Sequence, residues 1–313
     1  MRKLIILIFF VFIQLNLNNS FSNYIPYFNI TNEAEWLYDQ GKYHQAEELF
    51  LKAFKMDVTP KWKDILIYVK ILDKKKLKKL IFNVIEKQLI RTRGVNFNIS
   101  DYLIKEKIEL SNKQYLKLDK YRLDTLSEKQ LKLNYFNHII DSLNDIDQLY
   151  RMQIPKETVY FEFEHRTVST SYAIQKTDSL NVVMLKKLFI EHRLADFDVN
   201  NYKFQTLLIH LDENFIILKD YLLLMLKNGN LDPYEYASTF DRSIQRIGIC
   251  SKYFSYTPNL KDISCIDFNS ILKNREEIGL SKYYYRPSFT FYISVNKMMK
   301  YPLETYFIKF KNE

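Results

Sequence analysis

Glycine and proline are scarce in this chain of 313 residues, with five and seven copies. Five glycines argue against a Gly-rich loop that cradles phosphates with backbone N–H groups. No Gly-x-Ser-x-Gly turn occurs, which removes a serine nucleophile of the α/β-hydrolase type. Cysteine is rarer still. Cys250 and Cys265 are the only two, and neither lies in a nucleophile motif. Neither Cys-x-x-Cys nor His-x-x-x-His spacing is present, so no zinc signature exists; no metal and no cofactor are expected. Long apolar runs are also missing after the first residues, so no transmembrane span is expected in the mature chain.

The two cysteines leave two readings open. In an oxidising compartment, a Cys250–Cys265 bond would close a loop and stabilise the fold by about 3 kcal/mol. Equally, they are two small thiols, buried or half-exposed. Formal net charge is +9, and Lys is abundant beside Ile, Asn, Tyr and Phe. That mixture fits the residue bias of an AT-rich genome, so no specific nucleic-acid partner is expected. The dense lysine run, Lys74–Lys76 with Lys78 and Lys79, reads either as an anion contact or as a solvated helix face.

What is present begins with an address. Arg2 and Lys3 precede the apolar run Leu4–Ile13, and small Ser20 and Ser22 follow. This is the layout of a secretory signal peptide over 1–22, cleaved after Ser22. The expectation is an exported protein, periplasmic or extracellular. No cysteine near the cleavage point offers a lipid anchor.

Residues 33–57 resemble one tetratricopeptide-type helical hairpin. Ala34 and Leu37 fall on its first helix, Gly41 and Tyr43 at the turn, and Ala46, Phe50 and Ala53 on the second. Residues 61–89 repeat the pattern loosely around a charged turn at Asp73–Lys76. The expected organisation is helical hairpins over 23–90, a helical domain over 91–287, and a C-terminal extension over 288–313. The fold class is mainly α with minor β. Residues 91–101 make the best linker, and a helix-rich stretch follows over 101–125. Ser127 and Gln130 form a capping-box start for a helix reaching Met152. A short strand is expected at 158–163. Helices follow at Thr177–His192, Asn201–Leu211, Glu213–Asn228, from Pro233 to about Gly248, and at 267–277. Ser288–Val295 alternates and reads as a terminal strand. The cluster Tyr283-Tyr284-Tyr285-Arg286 reads as ordinary aromatic packing or as a stacking surface.

Polar residues embedded in the apolar helical pattern are the candidate site. They are Asp147, Gln148 and Arg151; Asp178 and Asn181 at the opening of a helix; His210 within Leu207–Leu211; Tyr236, Asp241 and Arg242; and Arg275. Their order and spacing resemble a secreted bacterial domain family of unknown function, over about residues 135–285. That family has Asp-Gln-x-x-Arg, Asp-x-x-Asn, a lone His, Tyr-Ala-x-x-x-Asp-Arg, Gly-x-x-Gln-x-Tyr-Gly and an Arg before Gly-Leu. The chain departs from it at Ser251, where the family has Gln, and at Phe254, where it has Gly. If that loop belongs to the family's site, this chain is altered there.

In chemical terms, Asp147 and Arg151 form an i, i+4 helix pair. Asp241 is expected to supply a second carboxylate to a buried Arg. His210 would be a general base if Asp147 or Asp241 orients it, with Arg151 or Arg242 holding an anionic substrate group. Two functions follow from this. One is an exported helical protein that binds a protein or cell-envelope component; the other is an envelope hydrolase or transferase working through His210.

Overall fold

Two antiparallel helices, α1 (Ile25–Asp39) and α2 (Tyr43–Phe54), open the described chain. Ala34 and Ala46 are fully buried, and such small side chains let backbones approach. Gly41 turns between the helices at φ 74°, a left-handed position that suits glycine. The N–H groups of Gly41 and Lys42 donate to Tyr38 and Leu37, closing α1 with a Schellman cap. Tyr43, expected in the turn, is the first residue of α2. A second hairpin follows as α3 (Trp62–Lys74) and α4 (Lys78–Thr92). Its stripe of Ile65, Val69, Leu72, Ile81 and Ile85 packs on Phe50 and Ala46. The lysine run at its turn is engaged within the chain: Lys75 pairs with Glu47, Lys78 with Glu109, and Lys74 lies over the Tyr43 ring.

The computed structural model describes residues 23–92, 99–120, 128–153, 156–199, 202–211, 214–246, 249–253, 255, 268–280, 283–286 and 299–302. The expected signal peptide, Ser127, Pro155, Gly248, Phe254, Cys265 and the strand at 288–295 lie outside them. The expected linker is helical at its described ends, because α4 runs to Thr92 and α5 (Ile99–Lys105) begins at Ile99. The helix-rich stretch over 101–125 holds two helices among its described residues. Lys107 takes a left-handed φ of 58° after α5, and α6 (Asn112–Asp119) starts afresh where Gln114 Oε1 accepts from the Ser111 N–H.

Among the described residues twelve α-helices carry the fold, with two small two-stranded sheets. α7 (Glu128–Arg151) leads into β1 (Thr158–Phe161), which pairs antiparallel with β2 (Arg166–Ser169), Thr158 opposite Ser169. The sequence pattern marked only the first of these strands. α8 (Thr170–His192) starts seven residues earlier than the apolar spacing indicated, because Ser169 caps it by accepting from the Tyr172 N–H. α9 (Tyr202–Ile209), α10 (Phe215–Lys227), α11 (Pro233–Arg246) and α12 (Phe268–Glu277) follow. β3 (Tyr283–Arg286), on which the aromatic cluster falls, pairs with β4 (Met299–Pro302).

The main core joins α1 to the segment after α12. Tyr27 and Phe28 of α1 pack with Leu185 of α8, Leu222 and Leu226 of α10, and Leu280 after α12. A side chain at Gly229 would meet the Tyr24 ring at 2.7 Å, and one at Gly279 would meet Phe28 Cβ at 2.8 Å. Both glycines also have φ 73°, so conformation and closeness demand glycine together. A separate small core of Tyr150, Val159, Phe161, Val168 and Ala173 seats the β1–β2 hairpin over the end of α7 and the start of α8. That seat fixes how the two helices present their polar residues.

Candidate functional site

α7, α8 and the end of α9 bring five of the singled-out side chains together. Asp147 lies one turn before the end of α7 with 1% of its side chain exposed. Its carboxylate accepts from Arg151 Nε at 3.1 and 3.2 Å, as the i, i+4 spacing on α7 requires. It also accepts from Gln148 Nε2 at 2.7 Å. Across the helix boundary, His210 Nδ1 lies 2.7 Å from Asp147 Oδ2. His210 directly follows α9, its N–H bonded to the Thr206 and Leu207 carbonyls.

Arg151 completes the link to α8 by donating through Nη2 to Asp178 Oδ1 at 2.5 Å. The second carboxylate on Arg151 is therefore Asp178. The expectation that Asp241 partners a buried Arg is corrected by its own bonds, given below. Asp178 was placed near a helix start. Because α8 begins at Thr170, it stands instead in the helix interior, where no helix N-terminus favours its charge. Asn181, one turn on, is buried.

The two carboxylates are pushed apart in acidity. Burial raises Asp147, but the hydrogen bond and charge of His210 and the charge of Arg151 outweigh it and hold the group below the usual carboxylate range. Burial and the neighbouring Asp147 push Asp178 up to about 6 despite Arg151. An ionised Asp147 favours the imidazole tautomer whose proton is on Nδ1, facing the carboxylate. In that tautomer Nε2 carries the lone pair, on a side chain that is 18% exposed. Arg151 is 23% exposed. An oriented imidazole beside a cation can take a proton from a hydroxyl or water while the guanidinium holds an anionic group.

The remaining candidates lie elsewhere and build the frame. Asp241 on α11 is fully buried and accepts from the Lys252, Tyr253 and Ser255 N–H groups at 2.8, 3.0 and 2.8 Å, and from Ser255 Oγ at 2.7 Å. It clamps the segment after α11 and orients neither His210 nor Arg151. Arg275 of α12, 1% exposed, holds the same segment through Nη1 to the Tyr253 carbonyl at 2.6 Å. Ser251, the point of departure from the family pattern, is buried in that segment. Tyr236 sits in an aromatic cluster with Phe215, Phe240 and Tyr253, and burial pushes its hydroxyl up to about 12. Arg242 is half-buried beside Asp241 on α11. Cys250 is disulfide-bonded, which selects the oxidised reading for that residue.

Sequence reasoning missed Asn144. It is buried one turn before Asp147 on α7, and its Oδ1 has no hydrogen-bond partner. The signal was available as a third polar residue on the i−3 position of an amphipathic helix. A second polar cluster was also missed, on α1, α3, α9 and α11. Tyr27 donates to Asp64 at 2.7 Å, Lys63 pairs with Glu35 at 2.8 Å, and Gln205 donates to Glu235. Burial, then the charges of Asp232 and Asp198, push Glu235 up to about 8. Among the described residues, no group of three His, Cys, Asp or Glu side chains is arranged to hold a metal. No described helix is long and apolar enough to cross a membrane.

No family model matches the chain, and neither a curated protein nor a solved structure matches it.

Proposed function

We propose that this is an exported helical protein whose site works by general acid–base chemistry, as a hydrolase or transferase acting on an envelope component that carries an anionic group. The observation that carries this reading is the 2.7 Å contact between Asp147 Oδ2 and His210 Nδ1, on an imidazole that still meets solvent. His210 Nε2 takes a proton from water or a substrate hydroxyl, Asp147 steadies the imidazolium that forms, and Arg151 anchors the anionic group. The resemblance of Asp147, Gln148, Arg151, Asp178, Asn181 and His210 to the pattern of a secreted family of unknown function points to the same group of residues.

The test is a panel of chromogenic esters, phosphoesters and amides, each with and without a carboxylate or phosphate. Turnover is expected to favour the anionic members, to vanish in His210→Ala and to fall sharply in Asp147→Asn. Arg151→Lys keeps the charge but loses the planar fork, so KM should rise more than kcat falls. Turnover indifferent to His210→Ala would refute the proposal.

A second reading, a binding surface on the N-terminal hairpin for a protein or envelope component, draws on a shallow, open depression of about 570 Å3 over Gly41–Gln45. A partner retained by the wild type but lost on Tyr43→Ala and His44→Ala would support it; equal retention would not.

A further inference from the structure

The outer sides of α8 and α10 do not follow the usual separation of apolar inside from polar outside. On α8 the residues Leu180, Val183, Met184 and Ile190 fall at helical spacing on the exposed arc, Val183 at 67% and Ile190 at 56% exposure. α10 packs alongside, with Phe189 stacked on Tyr221 at 5.2 Å, and exposes Ile217 at 47% and Leu224 at 37%. The apolar residues thus continue across the seam between the two helices. Lysines stand among them. Lys176, Lys186 and Lys187 on α8 and Lys227 on α10 are all exposed, against the exposed acids Asp220 and Glu191, the latter 3.9 Å from Lys187. The face is both apolar and positively charged.

We infer that this face is a docking surface for an anionic lipid membrane, on which the folded protein lies without crossing. Charge complementarity selects that occupant. A second copy meeting the face about a two-fold axis would set lysine against lysine, which opposes association. Protein partners are recognised through Trp, Tyr and Arg anchors, with Lys depleted, whereas this face offers aliphatic side chains and lysines. Aliphatic groups entering the headgroup boundary while lysine ammonium groups meet lipid phosphates is the pattern of a peripheral membrane surface. The inference does not rest on the acid–base reading of His210.

Flotation of the full chain with vesicles tests it, using phosphatidylcholine alone or with added phosphatidylglycerol. To separate the face from the apolar run Leu4–Ile13, a polarity-sensitive dye is placed at Ile190→Cys and, as a control, at Lys52→Cys on the exposed side of α2. The position 190 dye should shift to the blue on phosphatidylglycerol vesicles only, and the position 52 dye should not. Each lysine changed to Gln in the pair Lys186 and Lys227 should weaken binding by about fivefold, and added salt should release it. Val183→Asp with Ile217→Asp should abolish the blue shift at position 190. An unchanged dye at position 190 on anionic vesicles would overturn the inference. So would a blue shift that appears without lipid as protein concentration rises, because the face would then be covered by a second copy.

Discussion

Replacing His210 by alanine separates a working side chain from a structural one. Asp147 would lose one charge-assisted hydrogen bond, about 1.5–3 kcal/mol before compensation. It would keep Gln148 Nε2 at 2.7 Å and Arg151 Nε at 3.1 Å. His210 follows the end of α9 and is 18% exposed, so water can take the place of Nδ1. The net cost should therefore fall to about 1 kcal/mol or less. Asp241→Ala is the internal comparison. Its fully buried carboxylate serves three backbone N–H groups and one hydroxyl. Each stranded donor costs about 1–3 kcal/mol, and partial opening of the segment limits the total to about 3–5 kcal/mol. Urea unfolding at neutral pH, followed by circular dichroism with an unchanged slope, measures both. A His210→Ala variant as unstable as Asp241→Ala would refute the reasoning, since His210 would then be a packing element.

Three further outcomes follow from the buried polar groups. Glu235 has its folded value pushed from 4.5 up to about 8, so it favours the folded state fully below 4.5 and this contribution is lost as pH rises toward 8. Glu235→Gln should therefore raise Tm at about pH 9 and change it little at about pH 4, as thermal melts across pH would show. Tyr27→Phe removes the donor to Asp64 Oδ2 at 2.7 Å and the acceptor for the Lys61 N–H at 3.0 Å, and should cost about 2–3 kcal/mol. Because burial pushes Asp64 up to about 6, that loss should shrink below this pH, where the carboxyl is neutral; a flat profile would argue against it. Cys250→Ser should cost about 2–5 kcal/mol, and reductant should lower the wild-type Tm while leaving the variant's unchanged.

The parts of the site that lie along one helix were legible before the fold. The i, i+4 relation of Asp147 and Arg151 follows from helical pitch alone, and the apolar spacing located α7 to within a residue or two. Contacts between helices were not legible. His210 lies 63 positions from Asp147, and nothing local fixes which carboxylate it meets. Asp178 was recognised but misplaced, because a Ser-Thr-Ser opening reads as loop until Ser169 is seen capping α8. Asp241 was assigned a guanidinium partner because side chains are visible in a sequence and backbone donors are not; its partners proved to be mainly main-chain N–H groups. The β2 strand escaped because four residues with one buried side chain give no alternation to detect.

Asn29 and Asn32 of α1 donate to the carbonyls of Glu276 and Gly279, 247 positions downstream in each case. During synthesis the opening helix emerges long before its seat exists, so the main core cannot seal until the ribosome has passed Gly279. The ordering cost of closing so distant a contact makes this a late step, and it leaves Tyr27 and Phe28 open to water in the meantime. Chains cut short before Gly279 would expose the beginning of the protein rather than its end, and proteolysis of such fragments should start near α1.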